Sequence, residues 1–179
     1  MAKQAAVLAV DSMSGSGLFQ YVESFVENNI PYKIFSISDD RKIRTDSGVT
    51  ILADDIIANL KGHENEYGAL ILACGDAISK FPKFVDDTEK QYNKDLVEVM
   101  KAFSAQDKIM AGHCGAGLLF DTFDIAHGKK VAVHPYVVPA INNCIATGAK
   151  SEIDGNIYTA QTEHTICQII PPLIEALKK

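Results

Sequence analysis

The chain of 179 residues has no long apolar run, no block of basic residues and no Cys-x-x-Cys pair. No apolar stretch approaches the ~20 residues that a membrane-spanning helix needs, so we expect no membrane association. The missing basic block argues against a nucleic-acid partner, because such proteins carry clustered Lys and Arg. The net charge of −6 is spread over acidic and basic residues mixed along the chain, which is ordinary for a soluble globular protein.

The four cysteines have spacings that fit no zinc site, and we predict neither a metal nor a cofactor. The first residues lead directly into a strand-like segment and show no signal-peptide pattern, so we expect a cytoplasmic protein with free thiols. Two of these cysteines lie in apolar, helix-like surroundings and are predicted to be core residues: Cys144 and Cys167.

Short, continuously apolar segments alternate with helical patterns along most of the chain. The segments 5–10, 69–73 and 109–111 are typical of strands buried on both faces of a parallel sheet. A helical stripe over 18–28 includes Leu18, Val22, Phe25 and Val26. The repeated strand–helix–strand order predicts one domain over residues 1–179, a three-layer α/β/α sandwich with a mainly parallel sheet.

Further helices and a hairpin are predicted in the rest of the chain. A long helix is expected from about Thr88 to Ala105, and a shorter one around residues 56–60. A hairpin should turn at Asp154-Gly155. The C-terminal stretch reads as helical, with Pro171-Pro172 kinking it or starting a new first turn.

Three short turns follow predicted strands, where ligands bind in open α/β sheets. They are the loop 11–17, the turn 74–76 and the turn 113–115. The stretch "IMAGHCGAGL" places Cys114 on a strand–turn–helix, which is the arrangement of a nucleophile elbow. The N-terminus of the following helix should stabilise a thiolate and lower the pKa of Cys114. A buried structural cysteine is the alternative reading.

The order of several segments resembles the ThiJ/PfpI family of the class I glutamine-amidotransferase-like superfamily. The matching segments are "AAVLAV", "ALILACGDA", "IMAGHCGAGLLF", "GKKVAVHPYVVPAI" and "EIDGNIYTAQTEHTICQIIPPLIEAL". The family includes the parkinsonism-associated deglycase and PfpI-type intracellular peptidases. The resemblance implies a flavodoxin-like fold and a homodimer, and a stress-response or redox-sensing protein is the non-catalytic alternative to an enzyme.

The resemblance also implies functions for individual residues. Cys114 matches the family nucleophile, and the backbone N–H groups of Gly75 and Gly115 match its oxyanion hole. His134 matches a histidine that lies near the nucleophile in deglycase-like members. An ungapped alignment of the first strand and helix places Gly17 where family members carry a carboxylate that binds the cysteine.

Other residues near these turns have two readings each. Asp11 is either a substitute acid or a strand-end cap, and Cys74 is either a second redox thiol or a packing residue. His113 precedes the nucleophile and should point away from it as a structural residue. Glu163 and His164 either line the pocket or begin a helix. The backbone N–H groups of the loop 14–17 could hold an anion.

The resemblance implies a cysteine-dependent hydrolase or lyase that acts on a small carbonyl or acyl substrate. The alternatives are a redox sensor whose Cys114 reacts with an oxidant, and a binding module without chemistry. Without the carboxylate we expect weak activity on methylglyoxal, because general acid–base catalysis contributes ~10²–10⁴-fold. We also expect that Gly17→Glu raises that activity.

Overall fold

A computed structural model describes residues 2–80 and 90–179, in which a seven-stranded sheet is flanked by helices. The described helices are α1 Gly15–Glu27, α2 Gln91–Ala105, α3 Ala116–Thr122 and α4 Ile170–Leu177. The described strands are β1 Gln4–Ala9, β2 Tyr32–Ser36, β3 Lys42–Arg44, β4 Thr50–Leu52, β5 Asp55–Ile56, β6 Tyr67–Leu72, β7 Ile109–His113, β8 Lys130–Ala132, β9 Ile145–Thr147, β10 Ser151–Asp154 and β11 Ile157–Ala160.

The strand order of the seven-stranded sheet is β10-β11-β7-β6-β1-β2-β5, in which only the edge pair β10–β11 is antiparallel. Two smaller pairs, β3–β4 and β8–β9, lie outside this sheet. The predicted α/β architecture with a mainly parallel sheet is confirmed.

The central strands are buried on both faces, as their continuous apolar sequences predict. Every residue from Ala5 to Ala9 in β1 is fully buried between β2 and β6. Because β1, β6 and β7 are parallel neighbours, the turns that follow them meet at one edge of the sheet. This edge brings together the turns around residues 11–17, 74–76 and 113–115.

Helix α1 begins three residues before its predicted start, so Gly17 lies in its first turn and not in a loop. Its buried stripe is Leu18, Tyr21 and Phe25, whereas Val26 is 64% exposed. The inclusion of Val26 in the core was therefore wrong. Successive helical residues differ in direction by about 100°, so Val26 cannot share the inward direction of its neighbour Phe25.

The C-terminal region contains the predicted hairpin, formed by β10 and β11. Pro171 and Pro172 lie in the first turn of α4, after a 3-10 turn over 163–168. That tighter turn buries Ile166 and Ile169 and leaves Cys167 exposed, so the core assignment of Cys167 was wrong.

Two other predicted helices differ from the structure. The segment 56–60 contains the end of β5 and a 3-10 turn over 57–59 in place of a helix. The predicted start of the long helix at Thr88 lies outside the described residues, and α2 is described from Gln91. None of the helices in the two described ranges is both long and apolar enough to cross a membrane.

Candidate active site

Cys114 lies on a sharp turn between β7 and α3 with a left-handed backbone, φ +56°. Such a conformation is uncommon for a residue with a side chain and needs support from its surroundings. That support comes from both sides, because the Cys114 N–H donates to the Ala160 carbonyl at 2.9 Å and the Cys114 carbonyl accepts from the His134 N–H at 3.2 Å. The turn therefore holds the half-buried thiol at the carboxyl edge of the sheet.

The turn after β6 fits closely against this elbow. A Cβ atom on Gly75 would lie 1.7 Å from the His113 carbonyl oxygen, so only glycine allows the approach. The Gly115 N–H donates to the Gly75 carbonyl at 3.0 Å and also lowers the pKa of the Cys114 thiol. The Gly115 N–H, which was predicted to be part of the oxyanion hole, therefore already interacts with the Gly75 carbonyl and with the Cys114 thiol.

The Cys114 thiol is not the low-pKa group that its position at a helix N-terminus predicts. Burial raises the pKa of Cys114 to about 11, and the negative charges of Asp76 and Glu163 raise it further, against the opposing effect of the Gly115 N–H. Helix α3 has only 7 residues. Burial and two carboxylates thus outweigh the helix terminus, and the thiol is protonated near neutral pH.

Family members carry a carboxylate at the position of Gly17, but here the His113 ring fills the space that a side chain at position 17 would need. A Cβ atom on Gly17 would lie 2.5 Å from His113 Cε1 and 2.6 Å from His113 Nε2. His113 is 1% exposed and lies against the first turn of α1. No side chain fits at position 17 while the ring stays there, so the expected gain from Gly17→Glu is not supported by this geometry.

A carboxylate that the sequence analysis did not single out lies in the same place. Asp76 Oδ2 accepts a hydrogen bond from the Ser14 N–H at the start of α1, and Asp76 Oδ1 lies 3.6 Å from His113 Nε2. Anion binding by the backbone N–H groups of residues 14–17 stays a prediction, and one of these groups, the Ser14 N–H, binds a carboxylate of the protein itself. One signal was available, because Asp76 directly follows Gly75 in a turn that the sequence already placed at the site.

His134 lies beside the elbow, but its ring is oriented by its own turn. It stacks on Tyr136 with ring centroids 5.2 Å apart, and its Nδ1 accepts from the Tyr136 N–H at 3.3 Å. Within the described residues, no hydrogen bond joins its imidazole to the Cys114 sulfur. Its part in proton transfer stays a prediction.

Of the remaining predicted site residues, Glu163 lies close enough to affect the Cys114 thiol, whereas His164 and Asp11 interact mainly with other parts of the structure. Glu163 begins the 163–168 turn and acts electrostatically on Cys114, while His164 is largely exposed and lies 3.5 Å from Glu163. Asp11 is exposed and accepts from the Arg44 N–H at 2.7 Å, which ties it to the neighbouring hairpin β3–β4.

The other two buried thiols have surroundings unlike those of Cys114. Cys74 is fully buried, and burial raises its thiol pKa, which favours the packing reading over a second redox thiol. Cys144 is also buried, as predicted, and its thiol donates to the Ala126 carbonyl at 3.1 Å. In the part of the chain that the structure describes, no cluster of His, Cys, Asp or Glu could hold a metal ion.

Several known proteins are similar to this chain in sequence or in fold. Protein ppBat of Bacteroides thetaiotaomicron is 54% identical over 178 residues, which are 99% of this chain and 100% of that protein. A crystal structure of a B. thetaiotaomicron protein, named as a candidate protease I, is also 54% identical, with a TM-score of 0.93 over 99% of this chain and 100% of its own.

More distant solved structures have the same fold. Drosophila melanogaster DJ-1beta has 16% identity and a TM-score of 0.83 over 99% of this chain and 91% of its own. A sequence model of the DJ-1/PfpI family matches residues 3–176. The chain, with its elbow cysteine and parallel sheet, therefore belongs to the DJ-1/PfpI family.

Proposed function

We propose that this protein is a cysteine-dependent hydrolase or lyase that acts on a small carbonyl or acyl substrate through Cys114. The single observation that carries the proposal is the elbow itself, where a residue with a side chain keeps a left-handed backbone at the ligand-binding edge of the sheet. A cysteine needed only for packing has no reason to occupy a conformation that costs of order 1–3 kcal/mol.

The first step is the same for both substrate classes. The Cys114 sulfur attacks the carbonyl carbon, a C–S bond forms, and the carbonyl π electrons move to the oxygen. The thiol gives up its proton to a nearby base, and backbone N–H groups of the Gly75 and Gly115 turns stabilise the oxyanion. An acyl substrate then loses its leaving group and leaves a thioester for water to hydrolyse, whereas an aldehyde keeps the adduct as a hemithioacetal.

The proposal can be tested with p-nitrophenyl acetate as an acyl probe. We expect a burst of p-nitrophenol close to one equivalent per chain, together with an acetyl adduct on the Cys114 peptide by mass spectrometry. Cys114→Ser should abolish the burst, and Cys167→Ser is the matched control because Cys167 is an exposed thiol outside the elbow. An unchanged burst in Cys114→Ser would refute the proposal.

The redox-sensor alternative gives a different result in the same samples. Hydrogen peroxide would oxidise Cys114 to a sulfenic or sulfinic acid in that case, and no acyl adduct would form. A protonated thiol reacts slowly with peroxide, because the thiolate is the nucleophile. The raised pKa therefore favours an enzyme in which a base removes the proton during attack.

A further inference from the structure

The buried side chains of Tyr21 and His113 and the partly buried carboxyl of Asp76 carry polar atoms that lack a hydrogen-bond partner. Within the described residues, the Tyr21 hydroxyl, Asp76 Oδ1 and both ring nitrogens of His113 have no hydrogen-bond partner. Leaving such a group unpaired costs about 1–3 kcal/mol, so a cluster of four atoms needs an explanation. Functional sites are where such groups are retained.

The cluster connects α1 with the two turns that carry the site. The Tyr21 and His113 rings have centroids 6.1 Å apart, and His113 Nε2 lies 3.6 Å from Asp76 Oδ1. The other oxygen of Asp76 is fixed by the Ser14 N–H at the N-terminus of α1. The Asp76 carboxyl is 19% exposed, whereas the His113 side chain beside it is fully buried.

We propose that Asp76 is the catalytic base for Cys114 and that His113 is the residue that positions it. The proposal rests on the function proposed above. Asp76 takes the chemical role of the carboxylate that was expected at position 17, and His113 fills the space that such a side chain would need. Asp76 follows Gly75, which packs directly against the elbow, and its negative charge acts on the Cys114 thiol. The imidazole of His113 takes the space beside α1.

In the proposed step, Asp76 accepts the S–H proton as the Cys114 sulfur bonds to the carbonyl carbon. The protonated Asp76 then returns that proton to the carbonyl oxygen of an aldehyde or to the departing group of an acyl substrate. No oxidant or additional reactant is needed, and the site returns to its starting charge. The Ser14 N–H holds Asp76 Oδ2, and His113 limits the orientation of the carboxyl from the other side, where its Nε2 lies 3.6 Å from Oδ1.

The other titratable groups at the site are placed less well for this task. Glu163 acts on the thiol from the 163–168 turn, has a smaller effect than Asp76, and is hydrogen-bonded through its backbone to Gln20. The His134 ring is held by the Tyr136 turn. Cys74, two residues before Asp76 in the chain, is a fully buried thiol whose pKa is raised by burial.

Asp76→Asn separates this role from a structural one, because it should move two measurements in opposite directions. Asparagine can still accept from the Ser14 N–H but cannot take a proton. We expect the Cys114-dependent acylation rate to fall by about 10²-fold, in the range typical of a lost general base. Removing the negative charge should lower the pKa of Cys114 and speed its alkylation by iodoacetamide at pH 8 about two- to fivefold.

Both measurements are made in the Cys167→Ser background, with Glu175→Gln as the matched loss of an exposed carboxylate on α4. Unchanged acylation in Asp76→Asn overturns the proposal, and so does a parallel fall in acylation and alkylation. Absence of any Cys114-dependent burst in the parent protein would instead refute the proposed function.

His113→Asn provides the second test and does not depend on the Asp76 variant folding. We expect acylation to fall about tenfold with a shifted pH profile, since the carboxyl loses its neighbour. If both residues form one unit, Asp76→Asn/His113→Asn should be no slower than Asp76→Asn alone. Additive losses in the double variant overturn the assignment of His113.

Discussion

Solvent exposure and a specialised backbone position are found in two different cysteine residues of this protein. Cys167 is exposed on a 3-10 turn, whereas Cys114 is half-buried on the left-handed elbow, where burial raises its pKa. The thiol on the elbow is therefore not the one that solvent reagents reach most easily.

We predict that iodoacetamide at pH 7 labels Cys167 before Cys114, because attack requires a thiolate and access. The Cys114 rate should rise steeply between pH 8 and 11 as its thiolate forms, given a pKa of about 11. Peptide mass mapping at timed quenches measures both rates. Faster labelling of Cys114 at pH 7 would mean that burial and the charges of Asp76 and Glu163 do not keep its thiol protonated.

At the scale of single residues, sequence patterns predicted the elbow position of Cys114 but not the carboxylate of Asp76 that we propose as its base. Cys114 and Gly75 follow from strand ends and glycine spacing, which are local signals. Asp76 lies at the site because the turn around Gly75 packs against the elbow and because the His113 ring points towards α1. Neither of these contacts has a local sequence signal. A side chain that reaches a site across the fold cannot be located by aligning one strand and one helix.

Helix α1 and strand β7 fit together through one glycine and one imidazole. Gly17 leaves room for the His113 ring, whose nearest atom would lie 2.5 Å from a Cβ at position 17. The contact couples the first turn of α1 to the strand that carries the nucleophile. It also fixes how closely these two elements can approach.

We predict that Gly17→Ala lowers the free energy of unfolding by about 1–3 kcal/mol, because the added methyl overpacks against the ring. In the His113→Ala background the same change should cost far less, since the ring is gone. Urea unfolding of the four proteins gives the coupling energy by a double-mutant cycle. Equal costs in the two backgrounds would contradict the fit described here.

At the scale of elements, continuous apolar segments predicted the central strands well, because burial on both faces leaves a clear pattern. The segment 55–60 was misread, since β5 and the following 3-10 turn are too short for a period to distinguish them. Helix α1 was predicted in the right place, but its predicted start lies three residues too far along the chain, because the glycine and serine residues of its first turn are typical of loops.

Across the whole molecule, burial keeps several tyrosine hydroxyl and cysteine thiol groups in their neutral, protonated form. Tyr21 and Cys74 are fully buried, and burial raises the pKa of each above its ordinary value of 10.0 or 9.0. Their contribution to stability is complete below the unfolded pKa. It is lost as the pH rises toward the folded pKa, because only the unfolded chain releases the proton.

We predict that the free energy of unfolding falls at alkaline pH, by about 1.4 kcal/mol per pH unit above pH 9 for Cys74 and by as much again above pH 10 for Tyr21. Cys74→Ala removes one of these groups, so its alkaline slope should be shallower by that amount. Cys167→Ala is the control, because Cys167 is exposed. Parallel slopes in wild type and Cys74→Ala, from urea unfolding at pH 8 to 11, would contradict the argument.

The His113 ring in the space beside Gly17 also makes substitutions at positions 17 and 113 interdependent. A side chain at position 17 and the imidazole at position 113 require the same space and exclude each other while the ring keeps its place. A carboxylate can therefore enter at position 17 only together with a smaller residue at position 113, so this exchange needs two substitutions and is closed to a single one.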